Sequence, residues 1–288
     1  MDNNKEINAL FHLMDDPDED VYSTVSDRIL SFGKEIIPSL ETFSETSPAQ
    51  LAQERIGQLI HRLQFEDLLK EFEIWTNQEE ADILEGAMLV AKFVSPDVDI
   101  DEYKVQVEKI RRNIWLELNS YLKALEQVNI VNKILFSHIQ IKGEEVSYDN
   151  KEAFLLPELI DQKKGNAISI GILYQYLCKM LDISVQVINM PRQFILAYFD
   201  DSLLDLQTGE SISQEILFFI EPVTGQVYTK KDVDNYLTKI NQNPTTYHFK
   251  PLSSKKIIGL FIDELAKCYE QSHDEQKKDD LLRMRGLL

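Results

Sequence analysis

The spacing of apolar residues changes along this chain, and the change limits the folds that it can adopt. Up to about residue 135 apolar residues recur at intervals of three or four, as at Val25 and Ile29, which predicts successive amphipathic helices. Beyond about residue 140, short apolar runs such as Val185–Ile188 and Phe194–Tyr198 are separated by turn residues, which predicts strands. We therefore expect an α+β fold: a mainly helical N-terminal half, then a small antiparallel sheet packed on the central helix Ala167–Leu181.

No glycine- or serine-rich linker divides the helical half, so domain boundaries are expected at turns between helices, near Asn77 and Ser120. The chain begins with a helix, an acidic Asp-Pro turn, a second helix and a glycine, an order that resembles a HEAT-type repeat. Further strands are predicted at Leu203–Leu206 and Phe218–Ile220. The predicted regions are a HEAT-like region (1–77), a second domain (78–250) with a helical lead-in (78–140) and a core (141–250), and a C-terminal helix with a polar tail (251–288).

Acidic residues outnumber basic ones by 49 to 30, which gives a net charge of −19. Such a charge disfavours binding to nucleic acids and to anionic membranes. The charge-free run Gly165–Cys178 has 14 residues, too few to span a bilayer, and the N-terminus lacks the features of a signal peptide. Cys178 and Cys268 cannot form a disulfide framework or a cysteine-rich zinc site. We expect a cytoplasmic protein without a metal or cofactor, and leave its oligomeric state open.

Four stretches between Ile83 and Tyr228 carry a recognisable set of motifs. They are Glu85–Ala91 with Pro96–Ile100, Phe154–Ile170, Asn189–Leu196 and Phe219–Gly225. In this order they resemble the SirB-type branch of the transglutaminase-like superfamily. The resemblance implies a papain-type core, in which a small antiparallel sheet packs on a central helix.

Enzymes of that superfamily use a cysteine at the start of the core helix, a histidine on the next strand and an aspartate on a third. The resemblance places these three positions at Ala167, Gln193 and Glu221. Alanine is not a nucleophile, and the amide of Gln193 is not a base near neutral pH. We therefore expect a non-catalytic binding or scaffold module, a pseudoenzyme that binds a protein, a peptide or a small ligand.

Two alternatives remain open. The first is a hydrolase or transferase of unrecognised mechanism that uses the same cleft, with Glu221 and either Tyr148, Asp149 or Arg192 as its polar groups. The second is a structural or regulatory subunit of an assembly, which an exposed apolar patch along residues 1–75 would favour. The candidate cleft residues are Tyr148, Asp149, Lys164, Gly165, Asn166, Arg192, Gln193 and Glu221.

One acidic run has the spacing of a calcium-binding loop. Asp97, Asp99, Asp101 and Glu108 match positions 1, 3, 5 and 12 of an EF-hand. Glu102 stands where that loop needs a glycine for its sharp turn. The pattern is also typical of carboxylates that cap the start of a helix, and this is the interpretation that we adopt.

Overall fold

The computed structural model describes residues 2–46, 49–200, 215–242 and 249–288. The chain divides into two compact units, Met1–Glu73 and Ile74–Leu288. The predicted strand at Leu203–Leu206 lies outside the described residues. Among the described residues, no helix combines the length and the apolar character that a membrane span requires.

The first unit is helical. Its apolar core includes Val25, Ile29, Leu40 and Ile56, each at most 4% exposed, so the spacing that predicted helices also predicted which side chains are buried. The carboxylate of Asp18 accepts a hydrogen bond from the backbone N–H of Asp20 and caps the second helix. The helices are α1 (Asp2–Phe11), α2 (Glu19–Leu30), α3 (Ile37–Thr46) and α4 (Gln50–Thr76), the last of which continues past the boundary between the units.

The second unit contains eight further helices among its described residues. Helix α7 continues as a π-helical turn at Lys133–His138. Helix α9 is apolar on nearly all sides, and almost every one of its side chains is therefore buried. The helices are α5 (Ile83–Val94), α6 (Ile100–Trp115), α7 (Ala124–Asn132), α8 (Leu156–Gln162), α9 (Ala167–Lys179), α10 (Lys230–Lys239), α11 (Ser254–Gln271) and α12 (Glu275–Arg285).

Two sheets belong to this unit. A short parallel pair, which the sequence did not predict, joins β1 (Lys142–Gly143) to β2 (Lys164–Gly165). The main sheet is antiparallel in the order β3-β4-β5-β6, as expected for consecutive strands joined by tight turns. Its strands are β3 (Val185–Ile188), β4 (Ile195–Asp200), β5 (Glu215–Ile220) and β6 (Val227–Tyr228). Helices with a small antiparallel sheet confirm the predicted α+β class.

The two faces of the main sheet are covered by different helices. Ile195, Ala197 and Phe199 of β4 pack in one cluster with Val233 and Leu237 of α10. Side chains alternate along a strand, so the intervening residues of β4 point to the opposite face. Helix α9 contacts β3 and β4, and Phe194, next to Ile195 in the chain, lies against Gly171 of α9, so α9 covers the opposite face.

The segment predicted as a polar C-terminal tail is an ordered helix, α12, which corrects that expectation. Leu281 and Met284 are fully buried, and α12 packs along α11. Nε of Arg285 lies 3.1 Å from both carboxylate oxygens of Asp263 on α11. Sequence periodicity did not predict this helix because few of its residues are apolar. These few form one narrow stripe, which is buried.

Candidate functional site

The motif resemblance places the superfamily's nucleophile at the start of α9. Ala167 is its first residue and is half-buried. The fully buried Asn166 caps the helix: its Oδ1 accepts from the backbone N–H of Ile168 at 2.9 Å and of Ser169 at 3.2 Å. The hydroxyl of Ser169 accepts from the N–H of Asn166 in return and donates to the carbonyl of Ala153 at 2.8 Å. The first amides of α9 are therefore occupied by its own cap.

Gln193 is exposed and lies in the turn that leads into β4, so the expectation of a position within a strand is corrected. The turn runs from Met190 to Gln193 and contains Arg192 with φ of 61°, a left-handed conformation. The phenol of Tyr236 on α10 donates to the carbonyl of Pro191 at 2.9 Å. This bond ties the turn to α10.

Glu221 directly follows β5 and is half-buried. Its carboxylate accepts a hydrogen bond from the hydroxyl of Thr224 within the same tight turn. Gly225 has φ of 73° and donates its N–H to the carbonyl of Glu221 at 2.8 Å, which closes the turn. The side chain is therefore held in one place beside the end of the sheet.

Gln193 and Glu221 line the same cavity, which has a volume of about 270 Å³. Helix α10 and the strand before it supply the rest of the polar lining, and none of the described lining residues is basic. The thiol of a catalytic cysteine would have to reach this space from α9, but Ala167 is not part of the lining. The lining residues are Met190, Gln193, Ile195, Glu221, Tyr228, Asp232, Val233 and Tyr236.

Phe194 and Pro222, which follow Gln193 and Glu221 in the chain, are the side chains that lie against α9. A Cβ atom on Gly171, one turn into α9, would lie 2.5 Å from Cε1 of Phe194 and 3.4 Å from Cγ of Pro222. Gln193 shares its cavity with Ile195 on the α10 face of the sheet. The expectation that Gln193 and Glu221 both face Ala167 is therefore corrected: Phe194 and Pro222 occupy that side.

The other candidate cleft residues lie elsewhere. The phenol of Tyr148 donates to Glu264 of α11 at 2.7 Å, and Gln271 of α11 donates to the carboxylate of Asp149. Lys164 lies 3.7 Å from a carboxylate oxygen of Glu144, and Gly165 is buried in the parallel strand pair. Arg192 is exposed beside Gln193, outside the cavity lining. Only Gln193 and Glu221 of the eight candidates are brought together in this cavity.

Neither native cysteine has the environment of a nucleophile. Cys178 is fully buried in α9, and burial raises the pKa of its thiol far above the usual range. Burial, with the nearby carboxylates of Glu152 and Glu264, raises the pKa of Cys268 to about 11. A thiolate is therefore scarce at both positions near neutral pH.

Sequence reasoning missed the contribution of α10. Asp232 lines the cavity, and its carboxylate accepts from the N–H of Thr229 at 2.8 Å and from the Thr229 hydroxyl at 2.6 Å. These bonds to Thr229 lower the pKa of Asp232. The Thr-x-x-Asp spacing could have marked the start of a helix here, but not the cavity beside it.

The acidic run that resembles a calcium-binding loop caps a helix, as we expected. Oδ1 of Asp99 accepts from the N–H of Asp101 at 3.0 Å and of Glu102 at 3.2 Å, at the start of α6. Glu108 is paired with Arg111, with Nε and Oε2 2.7 Å apart. Within the described ranges, no cluster of three or more histidine, cysteine, aspartate or glutamate side chains could hold a metal ion.

A larger recess of about 710 Å³ opens near the C-terminal end of α9. Its lining mixes charges of both signs: the lysines 179 and 255 stand with the carboxylates of Glu79, Glu80 and Asp182. Mixed charges do not select a ligand of one sign. The smaller cavity beside Gln193 has the more selective lining.

Comparison with known proteins agrees with the fold. A UPF0162 protein of Vibrio cholerae is 19% identical over 186 residues, 63% of this chain and 64% of the relative. The human F-box only protein 21 is 20% identical over 207 residues, 63% of this chain but 31% of the relative, so the chain spans less than two thirds of either protein. No solved structure matches significantly. A family model described as "Transglutaminase-like superfamily" matches residues 101–262, more than half of the chain, and the chain therefore belongs to the transglutaminase-like superfamily.

Proposed function

We propose that this chain is a non-catalytic member of its superfamily and that the cavity beside Gln193 and Glu221 binds a positively charged group. The group would be carried by a small ligand or by a side chain of a bound peptide. One observation carries the proposal: two carboxylates and two tyrosines line a cavity of about 270 Å³ to which no described basic residue contributes.

The chemistry of the lining favours a cation. Glu221 and Asp232 offer carboxylate oxygens, and Tyr228 and Tyr236 add aromatic rings of the kind that attract ammonium groups. Met190, Ile195 and Val233 add an apolar surface for the aliphatic part of such a group. The net charge of −19 also raises the local concentration of cations. The volume suits a group the size of a lysine side chain better than a large ligand.

The absence of catalysis is supported by the residues at the three family positions and by the environments of the cysteines. Ala167 supplies no nucleophile, and raised pKa values hold the thiols of Cys178 and Cys268 protonated. The alternative enzyme that combines Glu221 with Tyr148 or Asp149 has no structural support, because those two side chains are bonded to α11. The four motifs favour membership of the SirB-type branch. The order of helices and turns in residues 1–77 favours a HEAT-like region. We also propose that the protein is cytoplasmic.

Titration with N-acetyl-lysine N-methylamide, followed by NMR, tests the binding proposal. We expect saturable binding that weakens about tenfold in Glu221→Gln and in Asp232→Asn, because a hydrogen bond to a charged group contributes about 1.5–3 kcal/mol. Glu145→Gln, at an exposed carboxylate outside the cavity, removes the same charge and should bind like wild type. The uncharged N-acetyl-glutamine N-methylamide should not bind. Equal binding of both probes, or no effect of either cavity substitution, would refute the proposal.

A further inference from the structure

Helix α6 has an exposed face that combines apolar and basic side chains. Val105, Lys109, Arg112 and Leu116 follow at intervals of four, three and four residues, which places them on one face of the helix. Val105 is 57% exposed, and Leu116, the residue that directly follows the helix, is 72% exposed. The opposite face is buried through Val107, Ile110 and Ile114, so α6 is anchored in the core while this face is bare.

Further large apolar side chains are exposed at the end of α6 and in the residues that follow it. Trp115 is 60% exposed, Tyr121 91% and Leu125 47%. Tryptophan, tyrosine and arginine are the residue types most enriched at the energetic centres of protein interfaces. We call the residues 105, 109, 112, 115, 116, 121, 123 and 125 the α6 surface.

The charge of the α6 surface is opposite to that of the whole protein. Residues 104–125 contain five basic and two acidic side chains, whereas the chain has 30 basic and 49 acidic. Both of the acidic ones are engaged: Glu108 is paired with Arg111, and Glu117 lies 2.7 Å from Nζ of Lys133. Within the described part of the chain, no carboxylate oxygen lies within salt-bridge distance of the side chains of Lys109, Arg112 or Lys123.

We propose that the α6 surface docks an acidic amphipathic segment of another protein. Carboxylates of that segment would meet Lys109, Arg112 and Lys123, while its apolar residues would pack on Trp115 and Leu116. This interaction lies outside the cavity and goes beyond the binding function proposed above.

Charge complementarity selects this occupant over two others. A symmetric dimer would place Lys109 and Arg112 of one copy near the same residues of the next, and like charges repel. An anionic membrane would attract the surface but repel the remainder of a protein with net charge −19. The apolar patch that we considered for residues 1–75 has weaker support, because only three of the large apolar residues described there, Leu13, Leu51 and Ile74, are exposed.

Trp115 makes the test direct, because the other tryptophan, Trp75, is 1% exposed and should not respond. The probe is a synthetic helical peptide with leucine at positions i, i+4 and i+7 and glutamate on the flanks of that stripe. We expect its binding to shift the Trp115 emission to shorter wavelength and to protect the indole from quenching by acrylamide. The matched peptide with lysine in place of every glutamate should produce neither effect.

Charge-reversed variants separate docking from nonspecific attraction. Lys109→Glu with Arg112→Glu should weaken binding of the acidic peptide about tenfold or more, and raising the salt to about 0.5 M should also weaken it. Lys142→Glu with Lys239→Glu changes the net charge equally at exposed residues of β1 and α10 and should bind like wild type. All four residues are exposed, so these variants should fold, and circular dichroism checks that they do.

Several outcomes would overturn the proposal. They are equal binding of the acidic and the basic peptide, equal loss in the two double variants, or an emission shift of Trp115 that depends on protein concentration without any peptide. Binding to vesicles containing phosphatidylserine with no binding of the acidic peptide would assign the surface to a membrane instead.

Discussion

A thiol introduced at Ala167 would report how the catalytic positions of the superfamily are arranged in this chain. Ala167 is the first residue of α9, where the helix dipole favours a thiolate by about 0.3–1 kcal/mol. Starting from an ordinary cysteine, this lowers the pKa to about 8, so roughly a tenth to a third of the thiol is ionised at pH 7.5. The cap by Asn166 already satisfies two amides of this helix start, which favours the smaller effect.

Cys268 supplies the comparison within the same molecule. With its pKa raised to about 11, only about 3 in 10,000 of its thiols are ionised at pH 7.5. Its thiolate is about 15- to 30-fold more nucleophilic than that of a thiol with a pKa near 8, which offsets part of the difference. We therefore expect Ala167→Cys to be alkylated by iodoacetamide at least about 20 times faster at position 167 than at Cys268. Mass spectrometry of the two peptides against pH measures both rates, and equal rates would refute the reasoning.

The same variant tests which residue faces α9. A histidine beside the thiol would lower its pKa to about 4, as in papain-type ion pairs. We expect Ala167→Cys with Phe194→His to show this effect, because Phe194 contacts α9 at Gly171. Ala167→Cys with Gln193→His should keep the profile of the single variant, because Gln193 lines the cavity on the α10 face. The opposite pattern would show that the assignment of strand faces is wrong.

Three further substitutions test the packing. Ile29→Asp should lower the free energy of unfolding by about 3–5 kcal/mol, because Ile29 is fully buried; thermal melts at 222 nm measure this, and a melt like wild type would contradict the helical core. Asn166→Ala should cost about 1–2 kcal/mol in urea unfolding through loss of the α9 cap, and a free energy of unfolding like that of wild type would argue against capping. Burial and a hydrogen bond to Asp161 raise the pKa of Tyr103 to about 12. The wild-type protein should therefore have a higher free energy of unfolding than Tyr103→Phe below pH 10, and this difference should disappear between pH 10 and 12. A difference that stays constant with pH would refute this.

The sequence predicted best where apolar spacing alone decides the structure. Val25 and Ile29 are buried as their spacing required, because an amphipathic helix can bury only its apolar stripe. The same reasoning failed at α12, where Leu281 and Met284 provide a stripe too narrow to stand out among charged residues. Sequence periodicity detects wide apolar faces, and packing against an existing helix can stabilise a narrow one.

The candidate site shows a second limit. Gln193 and Glu221, which the motifs selected, line one cavity because each lies beside the same end of two neighbouring strands. The motifs did not predict on which face of the main sheet these two side chains lie. A motif fixes a residue's position along the chain, whereas the turn at Arg192 fixes the direction in which the side chains that follow it point. The contributions of Asp232 and Tyr236 were invisible for a different reason: they come from α10, which follows the motifs in sequence and meets them only in the folded chain.

The arrangement of the two sheet faces explains why binding is a better proposal than catalysis. In a papain-type enzyme the cleft opens beside the start of the core helix, where the helix terminus activates the thiol. In this chain Phe194 and Pro222 lie against α9 at Gly171, one turn from the start of the helix, and the missing side chain of Gly171 lets them approach. The space that remains lies on the α10 face, where the polar groups are carboxylates, tyrosines and an amide. Such groups can hold and orient a cation, so the face on which the cavity lies and the residue types at positions 167, 193 and 221 both favour binding.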